Sequence, residues 1–367
     1  MSLIDLGWSP FFEATFAEYA AIGLQPARVT CRQRTGYDLQ TEQAELQADV
    51  TGGFRHKATG PETYPTVGDW VAVEPIDHER SLIHAVLPRR TAFIRKATAS
   101  GGAKSGLGRP EQQVLAANVD IALLVTGLDN DYNVRRIERY LSIAWDSGAE
   151  PIVVLNKADL CDDVEGRVAE IQAVCFGVPV IAASAVTEVG IGQLKERIKP
   201  GLTLVLLGSS GVGKSSIINT LLGSERQEVG RVRHGDGRGR HTTTYRELIR
   251  FPDGGMVIDT PGMREIHAWE DQEGLRKTFA DIEELAVNCR FADCSHRGEP
   301  GCAVMSAIES GDLTEERYQS YLRLEKEMNH LRQRQNERER RAADRAFGKK
   351  IKRYKEEHER LKRRGMK

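Results

Sequence analysis

The apolar run Leu202 to Leu207 ends in Gly208-Ser209-Ser210-Gly211-Val212-Gly213-Lys214-Ser215, and Ser216-Ile217-Ile218-Asn219-Thr220-Leu221-Leu222 continues at helical spacing. Few folds admit a strand, a glycine-rich loop and a helix in that order. The loop must lie at the carboxyl edge of a covered parallel sheet. It matches G-x-x-x-x-G-K-[ST]: glycines let successive N–H groups curl around an anion, lysine neutralises β- and γ-phosphates, and serine holds Mg²⁺. The following helix adds its N-terminal dipole. Gly208, Ser209, Ser210, Gly211, Val212, Gly213, Lys214, Ser215 and Ser216 are thus the expected phosphate and Mg²⁺ contacts. Gly101-Gly102-Ala103-Lys104-Ser105-Gly106 also has a Lys-Ser pair, but it lacks the spacing and the strand, and reads as connector.

Around this loop, from Asn118 to Asp259, buried runs alternate with helical segments: Val119 to Val125, Pro151 to Leu155 and Val178 to Ala182, with helices near 133–147, 162–176 and 190–198. The pattern predicts a parallel sheet covered on both faces. Its strand ends carry chemistry. After Leu155 comes Asn156-Lys157-Ala158-Asp159, in which the Asp159 carboxylate can accept the N1–H and 2-amino hydrogens of guanine, a donor pair that adenine lacks. After Ala182 come Ser184 and Ala185, whose backbone can meet guanine O6. After Ile258 comes Asp259-Thr260-Pro261-Gly262, with Asp259 placed to orient Mg²⁺ through water and the Gly262 N–H to sense the γ-phosphate. Together these predict GTP/GDP and Mg²⁺ as ligands, and Asp159 argues against an ATP enzyme.

The base-reading elements precede the phosphate loop here, whereas GTPases usually place them after it, so the domain reads as circularly permuted. Joined termini make this feasible. Arg231 to Thr244 is rich in glycine and basic residues and reads as switch I, with Thr242 or Thr243 as the ligand of Mg²⁺ and γ-phosphate. Met263 stands where many GTPases have a water-orienting glutamine, which leaves His241 as the local candidate for that task.

Upstream, Ala27–Cys31, Gly36–Leu39, Leu46–Val50, Trp70–Glu74 and Leu82–Leu87 are short runs broken by Gly52-Gly53, Gly68-Asp69 and Asp77-His78. They predict a small barrel of the OB-fold type. Arg28, Arg32, Arg34, Phe54, Arg55, His56, Lys57, Arg89, Arg90, Phe93 and Arg95 interleave along it as candidate RNA contacts. Residues 1–25 read as a leader with a short helix bearing Phe11, Phe12, Phe16 and Tyr19.

Downstream, Cys289, Cys294, His296 and Cys302 form C-x₄-C-x-H-x₅-C, which suits a closed tetrahedral site for one structural Zn²⁺. From 303 the chain reads as helix, with Tyr318, Tyr321, Leu322, Leu324, Met328 and Leu331 on a core-packing stripe. Charge is segregated. Of 52 Lys/Arg and 53 Asp/Glu, residues 338–367 hold 14 and 5, leaving a body of net −10 and a tail of +9 suited to a polyanion. No apolar run is long enough to span a bilayer and the N-terminus lacks signal-peptide character, so no membrane partner and a cytoplasmic location are expected.

The barrel with Val67-Gly68-Asp69-Trp70-Val71, the Asn156–Asp159 and Gly208–Ser215 elements, Gly239-Arg240-His241-Thr242-Thr243-Thr244, Asp259-Thr260-Pro261-Gly262-Met263 and the Cys/His cluster resemble the small-ribosomal-subunit-dependent GTPases known as RsgA (YjeQ). The resemblance spans about residues 25–335. It implies an all-β OB-fold barrel, then an α/β circularly permuted P-loop GTPase, then a small helical zinc-binding domain. It also implies GTP hydrolysis stimulated by the 30S ribosomal subunit, binding near the decoding region and a role in late 16S rRNA maturation. The expected protein is a monomer, with other assembly factors as further partners. An RNA-binding sensor of guanine nucleotides with little hydrolysis is the second reading, prompted by Met263. The implied boundaries are leader 1–26, barrel 27–96, linker 97–112, GTPase domain 113–270, zinc module 271–335 and tail 336–367.

Overall fold

The computed structural model describes residues 2–33, 35–97, 111–223, 246–259, 272–330 and 333. Helix α1 (Pro10–Ala20) precedes a barrel of β1 (Gln25–Gln33), β2 (Gly36–Gln40), β3 (Glu45–Val50), β4 (Trp70–Pro75) and β5 (Arg80–Val86), with the short α2 (Gly52–Lys57) between β3 and β4. Strand order β1-β2-β3-β5-β4 closes through a β4–β1 pairing, so the barrel has five strands and no free edge. Its interior holds Ala27, Val29, Leu39, Val71, Val73 and Ile83, alternate residues of their strands. The Gly52-Gly53 break opens α2, which Thr51 caps by accepting from the Phe54 N–H.

The leader is part of the core. Phe12 and Phe16 of α1 are buried, and Trp8 stands edge-on to Trp70 of β4 at 4.7 Å. Beside them lies Arg28, only 2% exposed. Its guanidinium donates to the carbonyls of Leu6, Gly68 and Asn118 and to Thr203 Oγ1, which ties the leader, the barrel and the central sheet together. Burial pushes this arginine down to about 10.

After the barrel, β6 (Ala92–Ala97) and β7 (Glu111–Ala117) make a two-stranded ribbon. Residues 97, 111 and 112, expected as linker, are therefore strand, and 98–110 lie outside the described residues. Then β8 (Ile121–Gly127), α3 (Val134–Ser147), β9 (Glu150–Asn156), α4 (Val164–Gln172), β10 (Val180–Ala182), α5 (Ile191–Arg197), β11 (Thr203–Leu207), α6 (Lys214–Leu222), β12 (Arg246–Arg250) and β13 (Met256–Asp259) follow. Strands β10-β9-β8-β11-β13 are parallel neighbours and β12 is antiparallel to β13. The carboxyl ends of the five parallel strands thus share one edge, where ligands of such sheets bind. The phosphate-loop strand β11 lies between β8 and β13, yet β8, β9 and β10, the last two carrying the expected base-reading ends, all precede it in the chain. This is the permuted arrangement.

One pairing joins the two halves of the molecule. β12 also bonds antiparallel to β1, with Cys31 opposite Glu247 and Arg32 opposite Arg246, so barrel and central sheet share eleven hydrogen-bonded strands.

Helices α7 (Gln272–Thr278), α8 (Ala280–Ala286), α9 (Ala303–Ser310) and α10 (residues 315–330) follow: α7 packs on α3, α8 on α7 and α9 on α8, and α10 pairs with α3 through Arg317 and Arg139. Gly274 of α7 permits the closest approach, since a Cβ there would stand 2.3 Å from the Ser142 carbonyl. In this interface Arg317, 6% exposed, bonds Glu138 at 2.7 Å, the Thr278 carbonyl at 2.7 Å and Asp281 at 2.9 Å, and lies over the Phe279 ring. Burial raises the Glu138 carboxyl above its ordinary value and outweighs the lowering by Arg317. Taking both charges out of water offsets much of what their attraction returns, while breaking the pair strands a buried charge. Arg317→Met is expected to cost about 3–5 kcal/mol. Adding Glu138→Leu should recover most of that loss, and chemical denaturation of the single and double variants measures both. Tyr318, Leu324 and Met328 of the α10 stripe are buried, as their spacing predicts.

Candidate functional site

The phosphate loop lies between β11 and α6, and its conformation depends on residues without side chains. Gly208 has φ 157°, and a Cβ there would stand 2.4 Å from the Val125 carbonyl of β8. Gly213 has φ 94°, and a Cβ there would stand 2.2 Å from Asn156 Nδ2. Val212 is buried as an anchor, whereas Ser209, Ser210, Lys214, Ser215 and Ser216 are partly exposed. Lys214 Nζ donates to the Gly208 carbonyl at 2.8 Å and the Ser209 carbonyl at 2.6 Å, so the ammonium is already held over the loop.

At the end of β9, Asn156 is 2% exposed and joins three loops. Its Nδ2 donates to the Val212 carbonyl at 2.7 Å and its Oδ1 accepts from the Ala185 N–H at 3.3 Å. Lys157 adopts a left-handed conformation and bonds Asp129 at 2.6 Å. Burial alone would raise the Asp129 carboxyl; Lys157 and the Asp131 N–H hold it below its ordinary value. Asp159 is exposed at the same edge. Ser184 is fully buried, and its Oγ accepts from the Val186 and Thr187 N–H groups, shaping the turn that presents Ala185. The fold thus brings Asn156, Lys157, Asp159, Ser184, Ala185 and residues 208–216 to one edge, with Asp259 ending β13 there. His241, Thr242, Thr243, Gly262 and Met263 lie outside the described residues.

A fifth strand end, that of β8, also takes part, through Asp129, Asp131 and Arg136. Sequence reading passed over it because these residues form no recognisable motif; acidic residues two apart after a buried run were the available signal.

In the second site, Cys289, Cys294, His296 and Cys302 place their ligand atoms within 4.8 Å of one another. Sγ of Cys289 and Sγ of Cys302 each stand 3.5 Å from His296 Nδ1 and 4.0 Å from each other. Tetrahedral zinc with bonds of about 2.3 Å to sulfur and about 2.0 Å to nitrogen needs nearly these separations, so the residues fit the ion. His296 is left-handed, Glu299 accepts from the Ser295 and Arg297 N–H groups, and the Tyr318 hydroxyl donates to the His296 carbonyl.

Several candidate RNA contacts prove structural. Arg28 is buried as described; Arg89 makes a bidentate pair with the fully buried Asp69 at 2.8 Å; Phe93 is core. Arg90 pairs with Asp120 at 2.8 Å. The reason is common to them: each lies where barrel, ribbon and central sheet meet. Arg55, His56 and Lys57 remain exposed on α2, while Arg34 lies outside the described residues. Among the described residues no helix is long and apolar enough to cross a membrane.

Residues 86–269 match the family model described as RsgA GTPase. A small ribosomal subunit biogenesis GTPase RsgA of Opitutus terrae is 45% identical over 337 residues, covering 89% of this chain and 90% of its own. Its counterpart in Syntrophotalea carbinolica is also 45% identical, covering 88% of each chain. Among solved structures, YjeQ from Thermotoga maritima superposes with a TM-score of 0.63 at 29% identity, covering 83% of this chain and 98% of its own. YloQ, described as a circularly permuted GTPase, has a TM-score of 0.59 at 24% identity and bears on the fold alone. On the strength of the permuted sheet, the family match and the coverage of these relatives, the chain belongs to the RsgA GTPase family.

Proposed function

We propose that this GTPase is a GTP-dependent binding and release switch for the 30S ribosomal subunit, acting late in 16S rRNA maturation, with its hydrolysis stimulated by the subunit. The names of its relatives, small ribosomal subunit biogenesis GTPases, point to that partner. In this reading the loop amides and Lys214 hold the β- and γ-phosphates, while Ser215 and Thr242 or Thr243 hold Mg²⁺. Asp259 orients that ion, Gly262 senses the γ-phosphate, His241 positions water, and Asp159 and Ala185 read guanine. Cys289, Cys294, His296 and Cys302 hold Zn²⁺, which supplies cross-linking of the loop and no chemistry. The protein works in the cytoplasm as a monomer, with units bounded near residues 27–96, 113–270 and 271–335.

The observation that carries the switch reading is the place of β12. It follows directly on the segment bearing Thr242 and Thr243, and it is hydrogen-bonded to both β13 and barrel strand β1. A change in that segment therefore pulls on the barrel. On the other side, the chain runs from Asp259 into α7 and the zinc module, so both switch regions are tethered to flanking domains. GTP turnover by the purified protein, with and without 30S subunits, tests the proposal: turnover should rise with subunits, and an unchanged rate would favour the sensor reading.

A further inference from the structure

Arg136 is in the first turn of α3, where its N–H is capped by Asn133 Oδ1 at 3.1 Å. Its guanidinium reaches the phosphate loop: Nη1 donates to Ser209 Oγ at 2.8 Å and pairs with Asp131 at 2.7 Å. The Ser209 hydroxyl in turn donates to Asp131 Oδ2, so it is engaged as both donor and acceptor. Ser209 directly follows Gly208, and its side chain is turned to the β8 loop and α3. The helix that carries Arg136 is itself fixed one turn further on, where Glu138 bonds Arg317 and Arg139 pairs with Glu327 of α10.

A loop with glycines at 208, 211 and 213 has many conformations to lose when it closes around a phosphate. A clamp that holds it beforehand improves binding by reducing that loss. We propose that Arg136 is a positioning residue for the nucleotide, acting through the Ser209 hydroxyl with Asp131 as the bridging carboxylate. The inference rests on the reading of residues 208–215 as the phosphate loop. Arg136 acts on the loop from outside the cradle, so it supports ground state and transition state alike. Its loss should therefore appear in Kd and KM and leave kcat nearly unchanged.

The test is equilibrium binding of fluorescent GTP and GDP analogues, with steady-state turnover and thermal unfolding, for Arg136→Ala, Arg136→Lys, Ser209→Ala and the Ser209→Ala/Arg136→Ala pair. Loss of one charge-assisted hydrogen bond predicts a rise in Kd of about tenfold for Arg136→Ala with both nucleotides. kcat should stay within about twofold and the unfolding midpoint should be unchanged. Lysine should restore part of the affinity, because it carries the charge without the fork. Removing Arg136 should have no further effect once the Ser209 hydroxyl is gone, and Arg135→Ala at the exposed neighbouring position should bind as the wild type does. An unchanged Kd in Arg136→Ala, a fall in kcat at constant KM, or a full Arg136 effect in the Ser209→Ala background would overturn the inference. Lys214→Ala separates the two levels: wild-type affinity in that variant would sink the phosphate-loop reading itself. Weakened binding in Lys214→Ala beside unchanged binding in Arg136→Ala would sink only the role of Arg136.

Discussion

Asp159→Ala is expected to weaken GTP binding by about 10³-fold and to remove most of the preference for GTP over ATP, because two charge-assisted hydrogen bonds to the base disappear together. Asp159 is exposed at the sheet edge and is the one carboxylate of Asn156-Lys157-Ala158-Asp159, while Asn156 and Lys157 hold the surrounding loops, so nothing in that element can replace it. Asp159→Asn makes a sharper test. The amide keeps one acceptor for N1–H but turns a donor toward position 2, where guanine carries an amino group and xanthine a carbonyl oxygen. The variant should lose affinity for GTP and gain it for xanthosine triphosphate. Competition between the three triphosphates in an equilibrium binding assay measures this, and an Asp159→Asn variant that still ranks GTP first would remove Asp159 from base recognition.

Removing zinc should have the second large effect. In the segment from Cys289 to Cys302 few backbone bonds cross the loop, the Arg290 N–H to the Gly301 carbonyl at 3.0 Å among them, and Cys302 also caps α9 by accepting from the Met305 N–H. The four ligands are thus the main framework of the loop that seats α9 and α10. Structural zinc contributes on the order of 10 kcal/mol in small zinc-finger peptides, and much of that should be at stake here. The purified protein is expected to hold one zinc per chain by elemental analysis. Cys302→Ala should lose the metal and unfold at a markedly lower temperature, with loss of helical signal. A wild type purified without zinc, or a Cys302→Ala variant that unfolds at the wild-type midpoint, would contradict the assignment.

What could be read from the chain and what could not follow from the range of the interactions. The phosphate loop, the guanine element and the Cys/His loop are local: each compresses its chemistry into fourteen residues or fewer, and the fold placed the first two at one edge as their positions after strands predicted. The five barrel strands were legible for the same reason, since each is a short run between breakers. Long-range pairing was not. Nothing in Arg28 distinguishes a surface cation from one that is buried against Leu6, Asn118 and Thr203, and nothing in Cys31 announces a partner at Glu247. Arg89 and Phe93 were misread as RNA contacts on the same ground, that basic and aromatic residues look alike at a surface and at an interface. Asn156 was assigned to the nucleotide through its motif, and its visible work is to fasten the base loop to the phosphate loop. The leader helix showed its spacing but not its destination against Trp70, which lies some sixty residues on in the chain.

In the proposed switch, the pairing of β12 with barrel strand β1 would make nucleotide state and subunit binding two sides of one equilibrium. Single-turnover hydrolysis of GTP with and without 30S subunits decides the matter, with Lys214→Ala run in both arms. Faster hydrolysis in the presence of subunits, absent from Lys214→Ala, is the predicted result; a wild-type rate indifferent to subunits would leave an RNA-binding nucleotide sensor in place of the switch.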